Sequence, residues 1–250
     1  MPTTTVSRSS VPPARQAFDR AEFLRSERIL LGRGRWPKAE IWRARIGNED
    51  WIVKDFAARG FLARNLIGVA FVRRDLGALQ RLAGIKGVPD EAFRVDRHAL
   101  AYRYAPGRPL ATIDGPDQPP EIFMALEATL REVHARGIVH LDIRNCRNVI
   151  VNERNEPVLI DFEAHLDTGG WLRGVRGWLE RFDLAGVYKH WKRASPETLG
   201  PERTAALEQM NRWRKAWVFR GLWYYPRGLG KLLRRIAGRT GRGERKEHRP

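Results

Sequence analysis

Residues 140–166 read HLDIRNCRNVIVNERNEPVLIDFEAHL, and this stretch decides the fold. It opens on His140-Leu141-Asp142, passes through Asn148, and closes on Leu159-Ile160-Asp161-Phe162. An apolar run, Val149-Ile150-Val151, follows the asparagine, and a second apolar run precedes Asp161. Two acids about twenty residues apart, with an amide between them, form a set of oxygen donors. One carboxylate can accept or orient a hydroxyl proton. An amide oxygen and a second carboxylate suit a hard cation such as Mg²⁺, which holds phosphates in phosphoryl transfer from ATP.

Upstream, Ile122, Leu126, Leu130 and Val133 recur at helical spacing, so 121–136 is a helix with Gly137 at its C-terminal cap. The chain begins differently. Arg28–Leu31 reads as a strand, Gly32-Arg33-Gly34 as a glycine turn, and Glu40–Ile46 as a second strand. After the turn cluster Gly47–Asp50, Trp51–Phe56 reads as a third. Residues 61–83 read as helical, in one helix or two, with Phe71, Leu76, Leu79 and Leu82 on one face, and Gly84 and Gly87-Val88-Pro89 end them. Residues 91–104 resemble two short strands, Ala105–Pro109 is a loop, and Ile113–Pro120 is a Pro-rich break. Beyond Asp161 the chain is helical and rich in tryptophan, and no internal repeat is visible. The expected architecture is α+β and bilobal. A flexible segment spans 1–24, a β-rich N-lobe 25–106, a helical C-lobe 107–237 and a basic tail 238–250.

The 250 residues suffice for a sizeable core, and one cysteine, Cys146, excludes a disulfide within the chain and fits a reducing compartment. The first residues, MPTTTVSRSSVPPARQAF, lack the apolar core of a signal peptide, and the longest apolar stretch, Phe61–Val72, is broken by Arg64 and Asn65. The net charge of +17 is uneven: residues 201–250 hold fourteen Lys/Arg against four Asp/Glu. Such a field attracts phosphates of any kind, whether on nucleotides, nucleic acid, lipid or sugars.

Singly, each motif has a structural reading: a glycine turn, a solvated strand lysine, a capping aspartate. Their order is what carries information. Glycine turn, Lys54 on a strand, Asp75 on a helix, His-x-Asp, Asn, then apolar-Asp-Phe follow one another as in a protein-kinase-like phosphotransferase. The chain resembles that family from about residue 28 to 190, and most resembles the bacterial group with lipopolysaccharide core (Kdo and heptose) kinases and RIO-like atypical kinases. The resemblance implies ATP and Mg²⁺ as cofactors. It implies that Gly32 and Gly34 let backbone approach the phosphates, that Lys54 contacts them, and that Asp75 pairs with Lys54 where the family usually has Glu. Residues Tyr102 to Ala105, with Tyr104 among them, take the place of the hinge that hydrogen-bonds adenine. Asp142 becomes the catalytic acid/base, Arg144 a stabiliser of the transferring phosphoryl group, and Asn148 and Asp161 the Mg²⁺ ligands. His140 supports the loop, and Asp183 is the buried helix acid that receives its backbone donors.

Departures narrow the group. Trp36-Pro37-Lys38 stands where a third phosphate-loop glycine belongs, and Lys38 is a candidate phosphate contact. The step from Asp142 to Asn148 is six residues instead of five, which makes Asn145 a rival ligand. Leu141 replaces the arginine that answers a phosphorylated activation loop, and Glu163 replaces the glycine after Asp-Phe. Asp183 follows Asp161 by only twenty-two residues, and Ser195-Pro196-Glu197 comes after it, so the shelf for an extended peptide is reduced.

The expected activity is transfer of the γ-phosphoryl group to a hydroxyl, on a lipopolysaccharide core sugar or a protein serine/threonine. The alternative is a pseudokinase scaffold at a membrane surface. ATP use implies a cytoplasmic site. In the tail, Ala206, Met210, Trp213 and Trp217 fall at helical spacing, as a docking stripe would. Residues 222–239 combine Trp223-Tyr224-Tyr225 and Leu229, Leu232, Leu233 and Ile236 with Lys231, Arg234, Arg235 and Arg239. That pattern suits either a lobe-packing helix or peripheral contact with an anionic membrane. Nucleic acid ranks behind, because no helix-turn-helix or zinc spacing is present.

Overall fold

Asp19 caps the first helix, α1 (Arg20–Arg25), in a reciprocal capping box with Glu22. The pair satisfies two donors that a helix start leaves open. Phe18 and Phe23, on either side of the cap, are buried. Phe18 meets Trp51 at 5.5 Å and Phe93 at 5.0 Å, both edge-on. A computed structural model describes residues 16–34, 38–113 and 118–216. Within them the segment expected to be flexible to residue 24 instead joins the core from Phe18 onward. Its Ser/Thr/Pro/Arg content masked the Asp19–Glu22 capping pair and the two aromatics beside it.

Five antiparallel strands follow: β1 (Glu27–Arg33), β2 (Glu40–Ile46), β3 (Glu49–Asp55), β4 (Phe93–Asp96) and β5 (Ala99–Arg103). Their order is β1-β2-β3-β5-β4, so β3 is central, and it is buried from Trp51 to Asp55. A π-helical turn, Ala63–Gly68, leads into α2 (Val69–Leu82). Helix α2 buries Val72, Leu76, Leu79 and Leu82 on one face, and Asp75 lies on that same face. The expected helix over 61–83 is thus a π turn joined to an α-helix.

The second half is mostly helical. After β6 (Arg108–Pro109) comes α3 (Pro120–Ala135), with proline at its start, where a missing N–H is harmless. Gly137 ends it at φ +75°, the left-handed geometry glycine accepts freely. Short strands β7 (Ile138–Val139), β8 (Val149–Val151), β9 (Pro157–Leu159) and β10 (Leu166–Asp167) make two small sheets, β6-β8-β9 and β7-β10. Helices α4 (Arg176–Ala194) and α5 (Pro201–Ala216) complete the described chain. This is a mixed α/β, bilobal protein-kinase-like fold. The chain divides into compact units Met1–Thr204 and Ala205–Pro250, and every site discussed below lies in the first. In the second, α5 continues to Ala216, in keeping with the helical spacing of Ala206, Met210 and Trp213. Residues 1–15, Trp36-Pro37, Trp217, the 222–239 stretch and the 238–250 tail lie outside the described residues. None of the described helices is long and apolar enough to cross a membrane.

Candidate active site

The β8–β9 hairpin brings Asn148 and Asp161 together. Val149 pairs with Leu159, and the Ile160 N–H donates to the Asn148 carbonyl at 2.8 Å, so the two residues share one end of the hairpin. Asn148 Nδ2 then donates to Asp142 Oδ2 at 2.9 Å and to the Asp142 carbonyl at 3.2 Å. Asn148 is buried, whereas its rival Asn145 is exposed. The extra loop residue is absorbed by a 3₁₀ turn, Ile143–Asn145, and by Cys146 at φ +47°. Leu141 and Asp161 also hold positive φ, +66° and +67°. Left-handed backbone at non-glycine residues persists only where the surroundings enforce it.

Asp183 on α4 does the enforcing at His140 and Leu141. It is 1% exposed. The N–H groups of His140 and Leu141 donate to its carboxylate at 2.7 Å each, and His134 Nε2 lies 3.1 Å away. His140 Nδ1 accepts from the Asp142 N–H at 3.2 Å, and its Nε2 is 3.1 Å from the Ile160 carbonyl. This imidazole links the loop to the strand before Asp161, and both its nitrogens are engaged, which is a supporting role. Arg144 lies in the 3₁₀ turn, and its carbonyl is 3.0 Å from His190 Nε2 on α4.

Lys54 joins the lobes. Its Nζ lies 2.6 Å from Asp75 Oδ2, 2.8 Å from Asp161 Oδ1 and 3.4 Å from Glu163 Oε1. The shorter Asp75 reaches Lys54 fully. Helix α2 is also tied to the segment after Asp161, because Arg74 donates to the His165 carbonyl and Arg81 pairs with Asp167. Lys38, on the segment that follows the Gly32-Arg33-Gly34 turn, stands 3.8 Å from Glu163 Oε2. Of the two loop glycines, Gly34 is sterically required: a Cβ there would sit 2.5 Å from the Ala39 carbonyl oxygen. A Cβ on Gly32 would meet nothing within 4 Å. In the expected hinge, the Tyr104 N–H is committed to the Asp50 carbonyl at 3.0 Å, and Arg43 stacks 4.2 Å over the Tyr104 ring. By register Tyr102, opposite Ile52, shares a sheet face with Lys54, and it is buried.

The charges are strongly coupled. Burial alone would push the Lys54 ammonium down, but Asp75, Asp161 and Glu163 hold it well above its ordinary value. Burial favours protonating Asp161, and Lys54 overcomes this and holds it at about 2. At Glu163 burial wins, helped by Asp161 and Asp75, and its carboxyl is raised. Burial also raises Asp142, against the Asn148 hydrogen bond and with help from Asp161. Asp75, Asp161 and Glu163 each place a ligand oxygen within 4.8 Å of the others. Asp75 Oδ1 is buried without a hydrogen-bond partner among the described residues. An all-oxygen set suits a hard cation such as Mg²⁺, and in this structure the Lys54 ammonium sits against the three carboxylates.

The structure therefore gathers Lys54, Asp75 and Asp161 into one network and Asp142 with Asn148 into a second, with Gly34 on the loop that carries Lys38. Glu163 is the site residue that sequence reasoning passed over. It was noted as a lost glycine, and its acidic side chain next to Asp-Phe was the available signal.

Comparison with known proteins agrees on the fold. No family model matches the chain. A Rio2 kinase structure from Chaetomium thermophilum superimposes with a TM-score of 0.52 at 15% identity, covering 70% of this chain and 60% of that one. A second Rio2 structure from the same organism, a complex with ADP/Mg²⁺ and phosphoaspartate, gives 0.49 at 15% identity, covering 71% and 59%. A curated relative, the probable SapB synthase of Streptomyces coelicolor, is 28% identical over 134 residues. That match takes in 44% of this chain and only 14% of the relative.

Proposed function

We propose that this chain is an ATP- and Mg²⁺-dependent kinase acting on a hydroxyl. The observation that carries the reading is the Lys54–Asp161 pair at 2.8 Å, formed across 107 residues of chain, with Asp75 on the same ammonium. In this reading Lys54 and Lys38 meet the phosphates over the Gly32–Gly34 loop. Backbone of the Tyr102–Ala105 segment, Tyr104 included, borders the adenine. Asn148 and Asp161, with Glu163 and Asp75 at hand, would hold Mg²⁺, which supplies charge neutralisation on the phosphates. Asp142 takes or orients the acceptor proton, and a carboxylate with a raised pKa is the better base. Arg144, on the same loop, adds positive charge near the transferring group. Positioning and electrostatics then account for most of the rate.

The acceptor reading rests on the segment between Asp161 and α4. It consists of two 3₁₀ turns and a two-residue strand paired to β7. Such a segment supports a sugar or lipid-linked hydroxyl, with a lipopolysaccharide core sugar first and a protein serine or threonine second. ATP as co-substrate points to the cytoplasmic side. One observation favours the scaffold alternative: Glu163 contacts both Lys54 and Lys38, and so competes with phosphates for both cations.

Radiolabelled ATP offered to cell-envelope and soluble-protein fractions tests all of this. The wild-type chain should label an acceptor in the presence of Mg²⁺. Asp142→Ala should lower transfer by about 10²–10⁴-fold and keep nucleotide binding. Equal transfer by that variant would overturn the assignment. Mg²⁺-dependent binding without transfer to any acceptor, water included, would establish the scaffold instead.

A further inference from the structure

Nine large apolar side chains are exposed among the described residues, and the three most exposed fall within six positions: Phe61 at 71%, Leu62 at 69% and Leu66 at 66%. Leu66 lies in the π-helical turn before α2, and Phe61 and Leu62 are the two helical residues that lead into it. This turn is fixed in place. Asn65 Nδ2 donates to the Phe61 carbonyl at 2.9 Å, Asn65 Oδ1 lies 3.1 Å from His98 Nε2, and Ala63 and Gly68 are buried beneath. A rigid turn that turns three large apolar side chains to water is a docking surface.

The charge around it selects the occupant. From Phe56 to Arg74 the chain holds four arginines and no acid, within a molecule of net charge +17. Arg59 precedes the trio and Arg64 lies between Leu62 and Leu66; both side chains are partly exposed, while their Nε atoms are buried with no acceptor among the described residues. Arg64 also lies 5.9 Å over the Phe61 ring. The turn sits beside the phosphate loop, since Arg59 donates to the Gly34 carbonyl at 3.0 Å. A second copy of the chain would press one acid-free basic surface against another, which is repulsive. Nucleic acid would answer the arginines but leave Leu62 and Leu66 without apolar partners.

We propose that this turn rests on an anionic bilayer, with Phe61, Leu62 and Leu66 entering the boundary between headgroups and acyl chains and Arg59 and Arg64 facing lipid phosphates. Apolar burial and attraction to anionic lipid add in such elements. The surface would hold the mouth of the site next to membrane-borne acceptors.

Co-sedimentation of the full chain with phosphatidylcholine vesicles, with and without phosphatidylglycerol, tests the proposal. The wild-type chain should pellet with the anionic vesicles. The triple variant Phe61→Ser, Leu62→Ser, Leu66→Ser should bind them about tenfold more weakly or less, with an unchanged thermal unfolding curve because all three side chains are exposed. Residues 222–239 are present in both proteins, so the difference reads the turn alone. Equal pelleting by the variant, or no pelleting by the wild-type chain, would overturn the proposal. So would a wild-type dimer that the triple substitution converts to a monomer without altering vesicle binding, or capture by polyglutamate in place of vesicles. Nucleotide is absent throughout, and Asp142→Ala should pellet like the wild-type chain, so this surface and the phosphotransfer reading fail separately.

Discussion

Three carboxylates converge on one ammonium at Lys54, whose side chain is 4% exposed. Replacing it by methionine keeps the bulk and removes the charge, leaving Asp75, Asp161 and Glu163 to face one another. Removing one partner of a buried ion pair costs about 3–5 kcal/mol, because the remaining charge loses its compensation. Lys54→Met should therefore lose stability of that order in urea unfolding at pH 7. Adding Glu163→Gln should restore part of it, since that substitution deletes one of the stranded acids. A double variant no more stable than Lys54→Met would remove Glu163 from the network. Lys54, Asp75 and Asp161 were legible in the sequence because their order along the chain is informative. Glu163 was not, because sequence shows that a glycine has been replaced but not that the new carboxylate turns back onto Lys54.

At the scale of elements, α4 holds the His140–Asn145 loop through Asp183, which takes two of its backbone donors, and through His190 on the Arg144 carbonyl. Asp183 accepts two backbone donors and faces His134, and Asp183, His134 and His140 are all buried. Asp183→Asn keeps the shape but offers one acceptor oxygen and an NH₂ group that must face donors. Leaving a buried donor unpaired costs about 1–3 kcal/mol. The variant should unfold at lower urea by that amount. If the chain is the kinase proposed above, the variant should also lose turnover while nucleotide binding, assigned there to Lys54, stays near the wild-type level. Equal losses in turnover and nucleotide affinity would show that Asp183 supports the whole site and not the loop alone. The strands of the first lobe and the helix over 121–136 could be read from alternation and helical spacing, because burial on one face imposes a period on sequence. The π turn could not, since its apolar residues point outward and obey no burial period. Helix α1 was missed because six residues are too few to show a period, and only its capping pair gives it away.

Over the whole molecule, two buried-acid clusters tie distant segments together. Arg20 on α1 reaches Asp55 on β3 and Asp96 on β4, each at 2.6 Å. Glu127 on α3 accepts from Arg131, from the Tyr188 hydroxyl on α4 and from Arg203. Burial would raise Asp96 and Glu127, but hydrogen bonds from these partners prevail and hold both below their ordinary values of 3.8 and 4.5. A carboxylate depressed by folding contributes stability that is complete above its unfolded pKa and is lost as the pH falls through the folded one. The urea midpoint should therefore hold near neutral pH and drop progressively between about pH 5 and pH 2. Asp142 and Glu163, whose carboxyls are raised, titrate with the opposite sign and soften the drop. General repulsion also grows on acidification in a chain of net charge +17, so a falling midpoint alone does not identify the cause. Arg20→Ala separates them. It removes one positive charge, which lessens repulsion, and it takes away the hydrogen bond and charge that do most to hold Asp96 down against burial, leaving the His98 N–H. The variant should be less stable than the wild-type chain at pH 7, and the gap should narrow as the pH falls below the ordinary carboxylate range. A gap that stays constant down to about pH 2 would assign the acid sensitivity to net charge and not to the Arg20 cluster.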